Sequence, residues 1–136
     1  MLSPPLAKVT AAIGGGLASL LLLINGLVQW SLSHPSVSEN PEVRRAMHYL
    51  FFAMGGFAHV AAVGLLVGGV SLAALGAGLV PRWFGVVSLI VSAFALLSTL
   101  TMVTESATAL IPLGRFPTLV WLVAIGFILP RDRSTT

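Results

Sequence analysis

Four apolar stretches, Val9–Trp30, Leu50–Leu79, Trp83–Val103 and Thr118–Leu129, fill most of this 136-residue chain and carry almost no charge. A hydrocarbon layer about 30 Å thick takes roughly 20 apolar residues of helix to cross; the first three stretches reach that length and the fourth is marginal. The expected fold is therefore all-α: a polytopic membrane protein, a single four-transmembrane-helix bundle with helices over about 9–32, 41–79, 82–111 and 116–130. Only 8% of residues are charged and 57% are hydrophobic, against about 25% charged in a soluble domain. No water-soluble core absorbs so much apolar surface.

The formal charge of +3 comes from seven Lys and Arg scattered among loop ends, so it reads as a topology signal and not as a nucleic-acid footprint. With no cysteine, disulfides, thiolate metal sites and cysteine nucleophiles are excluded. The first stretch is longer than the 7–15 residues of a signal h-region and lacks a small-residue cleavage pattern, so it is read as a membrane helix.

Helix two has the clearest start: Asn40 can cap, Pro41 suits the first helical position and Glu42 follows in the first turn. A helix from Pro41 to Leu79 is about 58 Å long at 1.5 Å per residue, so its first turns, with Glu42, Arg44, Arg45 and His48, are expected to project beyond the membrane. Gly76, Gly78 and Pro81 punctuate a tight hairpin into helix three. Pro112 and Pro117 bound a short loop before helix four, which stops at Leu129-Pro130. Four spans put both termini on one side. Placing them inside assigns Lys8, Arg82, Arg131 and Arg133 to the cytoplasm and Arg44, Arg45 and Arg115 outside, a narrow bias toward N-in, C-in. The compact basic end Arg131-Asp132-Arg133 and the outer placement of Glu39, Glu42 and Glu105 lean the same way.

Glycines concentrate on helices one and two, and Gly64 and Gly68 form a G-x-x-x-G pair; in lipid, close backbone approach at small residues supplies much of the packing energy. Packing within the bundle is the simpler use of these faces; a homo-oligomer or a larger membrane complex is the other.

The polar residues in or near the spans share a level in the outer third. Asn25 and Gln29 are four apart on one face; His48, Phe52, Gly55 and His59 follow a 4-3-4 progression; Ser98, Thr101, Glu105 and Thr108 follow 3-4-3. Three helices pointing such stripes inward would line one outward-opening cavity, with Trp30, Tyr49, Phe52 and Trp121 as apolar walls. Ionisable groups at membrane depth are costly and mark function, which singles out Glu105 and His59 as catalytic candidates, with Asn25, Gln29, His48, Phe52, Thr101 and Trp121 as ligand-binding candidates. The plainer alternatives are an interfacial Glu105 paired with Arg115 or Arg45, a His59 satisfied by a neighbouring helix, interhelical amide hydrogen bonds, and tryptophans as interfacial anchors. No His and acidic residues stand at i, i+3 or i+4, so no metal site is expected. No phosphate loop or dinucleotide fingerprint appears, so no cofactor is expected either.

The runs Val63-Gly64-Leu65-Leu66-Val67-Gly68-Gly69, Leu79-Val80-Pro81-Arg82-Trp83-Phe84-Gly85 and Leu119-Val120-Trp121-Leu122, with the terminal Leu129-Pro130-Arg131, resemble the C-terminal half of multi-span integral membrane proteins of unknown function from bacteria, chiefly actinobacteria. The resemblance covers a little over half the chain. It implies a bacterial inner-membrane protein and carries no catalytic residues over.

Two functional classes follow. One is a non-enzymatic membrane subunit that binds a membrane lipid, another apolar small molecule or a partner protein. The other is a membrane enzyme that cyclises or isomerises an isoprenoid-like substrate, with Glu105 as general acid and His59 tuning it. Known membrane terpene cyclases resemble this chain in being small helical bundles whose acids do the protonation. They typically use more than one acid, and here Glu42 would have to be the second.

Overall fold

The computed structural model describes residues 4–129, apart from the side chains at 4, 101, 105 and 107. The basic end Arg131-Asp132-Arg133 and the expected stop at Pro130 lie outside the described residues, as do the side chains of Thr101 and Glu105. Within them the chain is all-helical: α1 (Pro4–Leu32), a single turn α2 (Pro35–Ser38), α3 (Pro41–Ala53), a π-helical turn (Met54–Ala58), α4 (His59–Gly76), α5 (Arg82–Leu97), two 3-10 turns (Ser98–Met102 and Glu105–Ala109) and α6 (Leu110–Ile128). Four helical stretches are long and apolar enough to cross a membrane: Pro5–Leu32, Pro41–Gly76, Arg82–Leu100 and Leu110–Ile128.

Local chemistry accounts for the ends. The Asn40 side-chain oxygen accepts from the amides of Glu42 and Val43 at 3.1 and 3.2 Å, and Pro41, which has no N–H to leave unsatisfied, opens α3. At the other end of this long stretch Gly78 adopts φ +67, while Leu79 N–H returns to Ala74 O and Gly78 N–H to Leu75 O. That pairing is the Schellman closure, and glycine is the residue that enters the left-handed region without a Cβ penalty.

Helix three is shorter than its apolar run suggests. Ser98 and Thr99 turn their hydroxyls back onto Ala95 O and Leu96 O, three residues behind them, in competition with the regular ladder. The backbone tightens to 3-10 and leaves helical form at Val103 and Thr104. Helix four, conversely, starts earlier than expected. Pro112 falls in the first turn of α6, where backbone N–H groups have no intrahelical partner and proline removes nothing. The segment expected as a loop, Ile111 to Pro117, is helix, and Pro117 sits inside it.

Packing runs through small residues. A Cβ on Gly14 would collide with the backbone of Leu66, and one on Gly69 would come within 2.5 Å of Ala11 N, so α1 and α4 touch backbone to backbone. The Gly64 and Gly68 face is used inside the chain: added Cβ atoms there would sit 2.9 Å from Ala95 Cβ and 2.6 Å from Ser92 Oγ on α5. Ser92 Oγ donates to Gly64 O at 2.7 Å across that seam. Val, Ala, Ser and Gly fill the interior, with Phe84, Trp121 and Ile125 as its bulkier members, whereas Leu23, Trp83, Val120 and Phe127 point outward. That is the arrangement a hydrocarbon surround favours. Helix α4 is the hub, with α1 and α5 packed along it and α6 held by α5; α1 and α6 scarcely meet.

Candidate functional site

The gap between α1 and α6 is a groove over α4, enclosing 370 Å³ and lined by Gly15, Ala18 and Leu22 of α1, His59, Val63 and Leu66 of α4, and Arg115, Thr118, Leu119 and Leu122 of α6 among others. Its size lies within the roughly 300–1,000 Å³ typical of small-molecule sites. Chain directions order the lining. α4 and α6 both run downward from the end where α1 finishes, so His59 and Arg115 share the upper end while Leu66, Leu122 and Gly15 form the lower. From His59 to Leu66, and likewise from Arg115 to Leu122, is about 10 Å along the helix axis. The groove is polar at one end and apolar along the rest.

The π-helical turn builds the upper end. At its exit His59 N–H bonds to Gly56 O and Met54 O, passing over Gly55 O, the acceptor that a regular i to i−4 ladder would give it. Arg115 Nη1 donates to that released carbonyl at 3.3 Å. The next seam is similar: Ser98 Oγ lies 3.4 Å from Phe57 O, also in the π turn. His59 turns Nδ1 toward Ala18 O at 3.2 Å. A carbonyl only accepts, so Nδ1 carries a proton, and in the neutral ring Nε2 is the acceptor.

Helix α5 and helix α6 meet over a second polar contact. The indole N–H of Trp121 donates to Ser88 Oγ, which itself donates to Phe84 O at 2.7 Å, while the Phe84 and Trp121 rings stack at 6.5 Å with planes 14° apart. Both Ser88 and Trp121 are buried.

The candidate side chains that are described do not gather in one cavity. Among the described candidates, His59 alone lines the groove. Gln29 and His48 flank a separate 270 Å³ recess with Ser33, Ser38 and Arg44, and Phe52 lies in a shallow space beside Arg45, His48 and Tyr49. The 4-3-4 progression from His48 to His59 assumes one regular helix; the π turn adds a residue, worth about 100° of rotation, between them. His48 instead bonds Arg44 O through Nδ1 at 2.8 Å. Asn25 packs on Gly55, where a Cβ would come within 2.6 Å of its Nδ2, and its buried Oδ1 has no partner among the described residues. Trp121 belongs to the α5/α6 core and not to a cavity wall. The stripe from Ser98 to Thr108 crosses the break at Thr104, so it is not one helical face; Thr101 falls in the first 3-10 turn and Glu105 opens the second, in the connection between α5 and α6.

Sequence reasoning missed Arg115 as a site residue because two flanking prolines marked its segment as a loop. The available signal was position: a proline within the first turn is compatible with helix. Among the described residues no three His, Cys, Asp or Glu side chains gather to hold a metal ion. No family model, no curated protein and no solved structure matches this chain. Geometry alone therefore carries the functional reading.

Proposed function

We propose that this chain is a non-catalytic integral membrane subunit that binds the apolar chain of a lipid in the groove between α1 and α6. The observation that carries the reading is the groove itself, an apolar channel over α4 that opens sideways, where a bilayer would surround it. A lipid chain suits it better than a partner helix, because the close-approach glycines of α1 and α4, Gly14, Gly64, Gly68 and Gly69, are already occupied within the chain. We place the protein in a cell membrane, the bacterial inner membrane on the resemblance noted above, with both termini inside on the four-to-three distribution of basic residues.

The enzymatic alternative draws no support from the geometry. Trp121 is engaged with Ser88 and does not line the groove with His59, and the Glu105 side chain lies outside the described residues.

Gly15 provides the test. A Cβ there would stand 3.5 Å from Leu66 Cδ1, an ordinary contact, so Gly15→Phe projects a ring into the lower groove without displacing backbone. Mass spectrometry of solvent extracts from gently purified protein is expected to find a retained lipid in the wild type and its loss in Gly15→Phe. Equal retention in both, or none in the wild type, overturns the reading.

A further inference from the structure

We infer that the groove's occupant is an amphiphile with an anionic head, seated with that head at Arg115 and its chain running toward Leu66 and Leu122. The inference rests on the groove being a lipid site and adds the chemistry of the head.

Arg115 lies about 8 Å below the start of α6 at 1.5 Å per residue, within a candidate span. An arginine inside a membrane span is costly at the helix centre, and less so nearer the ends. Such a residue gains from a group that offsets its charge, and Arg115 is exposed on the groove wall, open to one. The described structure gives it one hydrogen bond, to Gly55 O. That carbonyl is a dipole and neutralises nothing, and it occupies one of five guanidinium donors. The described groove lining contains no carboxylate. Among the described residues none supplies a counter-charge at the groove, and an anionic ligand head would supply one.

With one N–H on Gly55 O, the guanidinium keeps its other donors for carboxylate or phosphate oxygens. The second polar group at this end fits the same head. With Nδ1–H committed to Ala18 O, His59 offers Nε2 as an acceptor for a hydroxyl, such as the P–OH of a singly ionised phosphate or an alcohol beside it. Below these two residues Val63, Leu66, Leu119 and Leu122 offer only apolar contact. Charge at the top and hydrocarbon beneath complement a chain with an acidic end. A neutral chain makes no use of the Arg115 charge.

The experiment compares hexadecanol, hexadecanoate and hexadecyl phosphate for binding to the detergent-purified protein by tryptophan quenching with brominated analogues. The charged ligands are expected to bind about tenfold or more tightly than the alcohol, the effect of one charge-assisted hydrogen bond. The tighter of the two names the head. Arg115→Gln is expected to erase the preference while alcohol binding persists, and Arg115→Lys to keep part of it. Equal binding of alcohol and acids to the wild type, abolished by Gly15→Phe, overturns the head assignment and leaves the groove reading intact. Failure of all three to bind overturns both.

Discussion

Arg115 of α6 and Gly55 of the π turn are tied across sixty residues of sequence by a guanidinium-to-carbonyl hydrogen bond of 3.3 Å. The carbonyl is available because the π turn skips it, and the arginine is present because α6 begins early enough to include it. An irregular turn and an early helix start thus meet at one contact.

Removing that donor takes from Gly55 O, on a buried residue, the side-chain bond it receives in place of the His59 N–H. An unsatisfied buried acceptor costs about 1–3 kcal/mol. Arg115→Met is expected to lower the thermal unfolding temperature measured in detergent, and Arg115→Lys to recover much of the loss by offering an ammonium donor.

The α1/α4 seam predicts a contrast between glycines. A methyl at Gly69 meets Ala11 N at 2.5 Å and Ala7 O at 2.8 Å, both backbone, whereas Gly16 and Gly126 have open space. Gly69→Ala should destabilise by about 1–3 kcal/mol through overpacking. Gly16→Ala and Gly126→Ala should be neutral or raise stability by up to about 1 kcal/mol through helix propensity. A shared direction in all three unfolding curves would contradict the seam.

Much of this architecture was legible in the sequence and some of it was not, for identifiable reasons. Apolar run lengths gave four spans because membrane thickness sets helix length, and Asn40-Pro41 and Gly78 gave boundaries because their roles are local. Pro112 misled: a proline stops a helix or starts one according to its position relative to the first turn, which sequence alone leaves open. The His48–His59 stripe is re-aimed by the single extra residue in Met54–Ala58, and the Ser98–Thr108 stripe is interrupted at Thr104. His59 was identified from its depth; Arg115, its neighbour on the groove wall, was hidden by the loop assignment.

Ser88 and Ser71 are both buried serines whose hydroxyls bond carbonyls one turn back, yet their removal should differ. Ser88 Oγ also accepts the buried indole N–H of Trp121. Ser88→Ala strands that donor and should cost about 1–3 kcal/mol, while Ser71→Ala strands no donor and should stay within about 1 kcal/mol. Chemical denaturation of the two variants side by side decides it.

Orientation can be read directly, because the chain has no cysteine to compete with an introduced one. Ser36 in the α1/α3 connection and Ala77 in the α4/α5 hairpin are both exposed and lie at opposite ends of the bundle. With termini inside, a membrane-impermeant maleimide should label Ser36→Cys on intact cells and Ala77→Cys only after permeabilisation. The reverse pattern would invert the proposed topology.

The G-x-x-x-G pair offers the sharpest separation between packing within the chain and packing between chains. Gly68 faces Ser92 Oγ at a separation no real Cβ tolerates, and Ser92 in turn donates to Gly64 O, so a side chain at 68 displaces the serine and breaks the α4/α5 hydrogen bond together. Gly68→Val should therefore lower the unfolding temperature without altering the mass of the protein–detergent particle measured by light scattering. Pairing Gly68→Val with Ser92→Gly should restore part of the stability, since the space the serine vacates accepts the new methyls. A change in particle mass at unaltered stability would instead place Gly64 and Gly68 at an interface between chains.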